Sequence, residues 1–409
     1  YCFNDEQSLY YIDKEFNFYA FHIPTQKNEF IANLGKEIQE RGKISSIVHY
    51  HNSYFVGFLM DGILLLEKQK ETDHYQIQSL PINSGVFCLK KDRFQDIVWI
   101  GTDGQGVYLY SNPLYSIKSM VLSNYTEKIE RPVRAIYLDD ERTFWVGTKG
   151  NGILKIYDYE FDKNISDCRA EVLTTSNSAL SSNAVYCFAK SHRNLLWIGD
   201  EEGLTYYSYR EKRIKSIPIR IGNEDFKYIH GIYETADSEL WLASVGMGVV
   251  KARIAGTPDN PVIVDAQRYV INDGELGSNY FFTIYAENEA NLLFGNKGYG
   301  VFRYNETTNG LEPVSTHKYE NMTLNNILAI SKDSSNNYLF GTSYGLIKYT
   351  SETSYQLFNA KNGFLNNTIH AILRNSSDNF WLSTNLGLIN FDTKRNVFRS
   401  YGFGDGLKV

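Results

Sequence analysis

One phrase recurs along the chain, and any fold must treat all its copies alike. An aromatic residue or leucine is followed by an aliphatic residue, a glycine or small residue, a polar loop, and then Gly before another aliphatic run. It reads WIGTDGQGVYLY from Trp99, FWVGTKGNGILKIY from Phe144, LWIGDEEGLTYYS from Leu196 and LWLASVGMGVVKA from Leu240. Further copies are LLFGNKGYGVFRY from Leu292, YLFGTSYGLIKY from Tyr338 and FWLSTNLGLINF from Phe380, with a weaker one, YFVGFLMDGILLLE, from Tyr54. With Phe55, Trp99, Trp145, Trp197, Trp241, Leu293, Leu339 and Trp381 as anchors, the intervals are 44, 46, 52, 44, 52, 46 and 42 residues. Strand-rich sequence repeating at this period predicts propeller blades, each packed only on its neighbours.

Each copy divides into four short strands, A to D. Strand A is apolar and follows a polar turn, as in RAIYLDD (134–140) and VYCFAKS (185–191). Strand B carries the phrase, strand C is the aliphatic and tyrosine run after the second glycine, and strand D is short and contains aromatics. The first glycine (Gly101, Gly147, Gly199, Gly295, Gly341) predicts close sheet-on-sheet packing, and the second one a B–C turn. Units begin near residues 43, 85, 132, 183, 228, 280, 326 and 368, behind an incomplete B-C-D piece in which Tyr1 takes the tryptophan position. The expected fold is an all-β propeller of four-stranded antiparallel blades. Seven blades are expected over 85–409, with 1–84 as the terminal blades of a preceding propeller; one eight-bladed ring is the alternative.

Composition narrows the partners. The 409 residues are 43% hydrophobic, with a formal net charge of −6 and no stretch that gathers Lys and Arg into a stripe, which argues against nucleic acid. Tyr (31) and Phe (24) are abundant and suit a β protein that grips a polar molecule. Cys2, Cys88, Cys168 and Cys187 are too dispersed for a CxxC pair, and Cys88 and Cys187 share one repeat position, which reads as buried small residues. No apolar run approaches the ~20 residues of a membrane span. A chain that opens inside a repeat is expected to be a piece of a longer protein.

At these phrases, and above all in NFWLSTNLGLINFDTKRNVFRSYGFGDGL (379–407), the chain resembles the two-component regulator propeller family. The resemblance implies a periplasmic sensor region of a hybrid two-component system. In that family, tandem propellers precede a β-sandwich, a membrane span and histidine kinase modules, and detect oligosaccharides released by glycan breakdown. It implies an inner-membrane parent protein, anchored through segments outside this sequence, that acts as a homodimer and regulates transcription. Leu293 and Leu339 in place of Trp, and Ala243 and Ser383 in place of Gly, depart from the family phrase.

In such blades the start of strand A and the B–C turns converge on one mouth of the central channel. Asn183, Asn279, Asn326 and Asn367 stand just ahead of strand A and are candidates to bind sugar hydroxyls, with Tyr228, Tyr280 and Tyr299 to stack on sugar rings. Arg131, Arg134, Lys227 and His230 are the charged or titratable candidates there, joined by Lys149 and Lys297 in B–C turns. Inward-facing cations would favour an acidic sugar. For each asparagine the plainer reading is a turn residue, and for each cation a solvated rim charge. The five tryptophans share one strand-B place and read as burial between blades.

An enzyme acting on carbohydrate, as glycosidase or lyase, is the alternative, since propellers host catalysis. Its candidate carboxylates, Asp103, Asp200, Glu201 and Glu202, are equally turn residues, and no motif pairs two of them. His49 and His51 alternate onto one strand face, but no metal-ligand motif or phosphate loop accompanies them. No cofactor is expected and the chain reads as non-catalytic. A protein-binding scaffold is the third possibility.

Overall fold

Period-two alternation between glycine- and asparagine-rich turns becomes strand along nearly the whole chain. The computed structural model describes residues 1–4, 7–69, 74–92, 95–111, 129–160, 168–271, 279–314, 325–351, 353–402, 405 and 407. Among these, antiparallel pairing makes ten sheets: eight of four strands, one of three and one two-stranded ribbon. In every four-stranded sheet the strands pair in chain order, so each is a meander, the blade of a β-propeller. Blades 1 to 9 occupy residues 2–33, 44–79, 86–110, 133–173, 185–216, 229–269, 281–313, 327–358 and 369–401, and blade 3 is the three-stranded one. The α-helix among the described residues is Gly35–Arg41, between blades 1 and 2.

The N-terminal piece departs from expectation. Cys2–Asn4, Ser8–Ile12, Asn17–His22 and Lys27–Asn33 form a complete four-stranded sheet, with Ser8–Ile12 as strand B. The Trp-Ile-Gly phrase is missing there, and buried Tyr10 and Phe18 supply the aromatic core in its place.

Two compact units divide the chain: Tyr1–Ser116 with Arg395–Arg399, and Ile117–Lys394 with Ser400–Val409. In the first, one apolar layer joins Tyr10 and Phe18 to Tyr54 and Phe58, and a second joins Phe55 and Leu65 to Val86 and Val98. In the second, Trp145 packs with Val185 and Leu196, Trp197 with Ile229 and Leu240, and Trp241 with Phe281 and Phe294. Each layer belongs to two successive blades, as repeats that bury one face on a neighbour require.

The first glycine of the phrase makes these layers close. A Cβ on Gly147 would lie 2.8 Å from Val185 Cγ1, one on Gly199 2.8 Å from the Ile229 carbonyl oxygen, and one on Gly341 2.9 Å from Ile369 Cγ2. The neighbouring strand A therefore needs the bare backbone. Blade 6 shows the compensation: Ala243 replaces the glycine, and its partner across the A–B pair is Gly231. The residue after the glycine closes the B–C turn. Thr148, Thr342 and Thr384 donate their hydroxyls to the carbonyls of Gly152, Gly345 and Gly387 at 2.8, 2.9 and 2.9 Å.

The five tryptophans divide. Trp145, Trp197 and Trp241 are buried between blades as expected, Trp381 is half-buried, and Trp99 in the three-stranded blade is 38% exposed. Cys88 is likewise exposed, not buried, whereas Cys187 is half-buried and burial pushes its thiol up to about 12. Equal repeat position does not give equal burial here, because blade 3 pairs only three described strands.

Candidate functional site

Every strand A of the second unit carries one extra residue near its start. In blade 5, Val185 pairs with Asp200 and Cys187 with Gly199, leaving Tyr186 without a partner on strand B. The same irregularity leaves out Arg134 in blade 4, His230 in blade 6, Phe282 in blade 7, Leu328 in blade 8 and His370 in blade 9. Such a β-bulge rotates the extra residue out of the alternation and re-aims its side chain. In blades 5 to 9 the residue before it is held fast: Val185, Ile229, Phe281, Ile327 and Ile369 are buried to within 1%, whereas Val133 of blade 4 is exposed. Blades 2 and 3 of the first unit carry the same bulge at Ser45 and Phe87.

The six bulged residues of the second unit meet in one cavity of about 810 Å³. Pro132, Val133, Ser343, Thr368, Ala371, Ser383 and Asn385 complete its lining. Tyr186 and His230 stack with ring centroids 4.2 Å apart and planes 16° apart, and Phe282 meets His230 edge-on at 5.6 Å. Burial, with the Arg134 charge adding to it, pushes the His230 imidazole down to about 4, so the ring is neutral at physiological pH. Burial raises the Tyr186 hydroxyl, with the Glu201 carboxylate adding to it and Arg134 opposing it. Across the cavity, His370 Nε2 and Asn385 Oδ1 are hydrogen-bonded at 2.6 Å. The cavity thus offers an aromatic arc and a guanidinium on inner strands, with a set of hydroxyl and amide groups from those strands and the adjoining turns.

Of the ten residues expected at the channel mouth, Arg134 and His230 line this cavity. The asparagines build turns. Asn183, Asn279 and Asn367 each accept, through Oδ1, the backbone N–H of Thr175, Ile271 or Ala360 at 2.8–2.9 Å. The carbonyls of Asn183 and Asn279 also hold the B–C turns at Gly150, Gly152, Gly246 and Gly248. Asn326 is half-buried beside strand A of blade 8, and residues 276–278 and 324 of these turns lie outside the described residues. Lys227 is ion-paired with Glu202 at 2.5 Å. Tyr228 is exposed at φ 56°, Tyr280 lies under the Lys297 ammonium at 5.6 Å, and the Arg131 backbone N–H donates to Asn151 Oδ1 at 2.8 Å.

Sequence reasoning missed Tyr186, Phe282, Leu328 and His370. Their signal was positional: each is the residue after the buried aliphatic or aromatic anchor that opens strand A. Strict alternation would put them on the blade face, and only the bulge turns them to the channel.

The acidic candidates stand apart from the cavity lining. Asp200 is fully buried and accepts the Ser181 hydroxyl at 2.7 Å and the N–H groups of Glu202 and Gly203 at 2.9 and 3.0 Å. Burial raises it to about 6. In the first unit His51 pairs with Asp96 at 2.9 Å and His49 packs on Tyr54, and among the described residues no cluster of His, Cys, Asp or Glu could hold a metal ion.

No family model matches the chain. Among curated proteins, translation initiation factor 6 of Saccharolobus solfataricus is 31% identical over 140 residues, 31% of this chain and 57% of that protein. Two solved structures similar to 98% of the chain are described as extracellular domains of hybrid two component systems of B. thetaiotaomicron. One has a TM-score of 0.56 at 21% identity and the other 0.54 at 18%, and the chain spans 56% and 53% of them, about half their length. Virginiamycin B lyase of Staphylococcus aureus matches 66% of the chain and 84% of its own at a TM-score of 0.51 and 15% identity. At these identities the likeness is one of fold, a β-propeller.

Proposed function

We propose that this chain is the extracytoplasmic ligand-sensing region of a hybrid two-component regulator. In this reading it binds oligosaccharides from glycan breakdown in the channel cavity, leaves them intact, and signals to a histidine kinase in another part of the parent protein. The observation that carries the reading is the cavity of about 810 Å³, where rigid inner strands deliver bulged aromatic and polar side chains to one place. Aromatic rings for the apolar faces of sugars, with hydroxyls and amides for their polar edges, suit a carbohydrate. The fold likeness to extracellular domains described as parts of hybrid two component systems supports the sensing role, and the phrase resemblance supports the same class. Among the described residues no helix is long and apolar enough to cross a membrane.

A lyase reading has one observation in its favour, the neutral His230 in the cavity, which could accept a proton. No carboxylate accompanies it in the lining, so the paired groups of a glycosidase are missing there. Isothermal titration calorimetry against neutral and acidic plant, host and microbial oligosaccharides, with product analysis after incubation, separates these readings. Binding of one sugar family without cleavage supports the sensor; cleavage replaces it with the enzyme.

A further inference from the structure

The charge inventory of the cavity says which sugars it selects, an inference that rests on the sensor reading above. The chain carries 47 acidic and 41 basic residues, yet the cavity lining contains no Asp or Glu. Its cation is Arg134. Several cations elsewhere in the same unit are matched: Lys190 with Asp140 at 2.5 Å, Lys227 with Glu202 at 2.5 Å, Arg142 with Glu160 at 2.6 Å and Arg193 with Glu234 at 3.6 Å. Arg134 has no hydrogen-bond or ion-pair partner among the described residues, and it is exposed to the cavity.

The carboxylates behind this wall are already occupied. Asp200 is held by Ser181 and two backbone N–H groups, and Glu201 accepts the Ser182 hydroxyl at 3.4 Å. An unmatched guanidinium at the end of an aromatic arc is a fork for a planar or tetrahedral anion, and it strengthens as a ligand displaces water around it. Tyr186 and His230 cover each other's inner faces, so the arc offers its outer face and ring edges to one sugar ring.

We propose that the cavity selects a saccharide residue bearing a carboxylate or sulfate, with the anion on the Arg134 guanidinium and the sugar ring against Tyr186, His230 and Phe282. The anion sets the preference, and the bulged residues of blades 5 to 7 provide a surface that neutral sugars share.

The test is calorimetric titration of the whole chain with matched pairs: oligogalacturonate against galacto-oligosaccharide, oligomannuronate against manno-oligosaccharide, and sulfated against unsulfated galacto-oligosaccharide. The anionic member of at least one pair is expected to bind about tenfold or more tightly than its neutral partner, as a charge-assisted hydrogen-bond pair provides. Arg134→Gln should erase that preference, bringing the anionic member of the pair to the affinity of its neutral partner, while leaving the melting temperature unchanged. The carboxylate and sulfate arms tell the two anions apart. Equal binding within every pair, or a preference untouched in Arg134→Gln, overturns the anionic assignment and leaves oligosaccharide sensing standing. Binding of no member of any pair overturns both.

Discussion

Lys155 Nζ donates a 2.7 Å hydrogen bond to the Tyr207 hydroxyl of the next blade, and the rings of Trp145, Tyr157 and Tyr207 lie 4.1–4.7 Å from the same ammonium. The arrangement repeats along the second unit. Lys251 on strand C of blade 6 stands over Trp241 of its own blade and Tyr304 of the following one, at 5.4 Å from each ring, and Lys348 on strand C of blade 8 donates to the Thr393 carbonyl at 2.6 Å. A strand-C lysine thus joins successive blades, and at Lys155 it does so almost out of contact with water, at 4% exposure.

That burial has a pH signature. Desolvation pushes Lys155 down to about 8, against an ordinary value of 10.5. Between those values the unfolded chain holds the proton that the folded one has released, so stability rises with pH from about 8 to about 10. Above pH 10 the sign reverses: burial holds Tyr207 up to about 12, tyrosines of the unfolded chain ionise first, and stability falls. Urea midpoints followed by circular dichroism should show the rise, worth about 1–3 kcal/mol, and Lys155→Met should lack it.

Glu234 ties blade 5 to blade 6 by accepting Trp197 Nε1 at 2.8 Å and the Ser191 hydroxyl at 2.5 Å on one buried oxygen. Glu234→Ala leaves both donors unpaired and is expected to cost about 2–4 kcal/mol in denaturant unfolding. A loss below about 0.5 kcal/mol would show that the inter-blade bond carries no stability.

Gly199→Ala drives a Cβ to 2.6 Å from Cys187 Sγ and 2.8 Å from the Ile229 carbonyl oxygen. Overpacking of this kind costs about 1–3 kcal/mol. Ala243→Gly, opposite Gly231, should cost less, because that pair already has its room. Thermal melting of the two variants measures the difference.

His230 acts in a lower pH window, with the same sign as Lys155. Its folded value of about 4 lies below the ordinary 6.5, so its contribution is complete above pH 6.5 and is lost as pH falls toward 4. His230→Phe should lose less stability than the native chain over that interval. Asp200, raised to about 6, slopes the other way, but it is common to both proteins and cancels in the comparison.

The repeat made the blades legible because its glycines, tryptophans and turn threonines mark fixed places in a sheet, and the strand-A segments read from the sequence are strands in the structure. Blade 1 was harder, since Tyr10 and Phe18 do the work of a phrase that is not there. The site was half legible. Arg134 and His230 could be found as polar residues opening strand A, but Tyr186, Phe282 and Leu328 look like core residues until the bulge takes them out of the alternation. The asparagines misled because the groups that suit a sugar hydroxyl also suit a backbone N–H, and in a tight turn the backbone is nearer.

The central claim is that the channel cavity is a ligand site, and the most direct measurement is a crystal structure of the chain with an oligosaccharide that calorimetry shows to bind. The account predicts intact sugar in the cavity, in contact with Tyr186 and His230 and within hydrogen-bond distance of Arg134 or Asn385. Sugar bound elsewhere with the cavity empty, or density for a cleaved product, would contradict it.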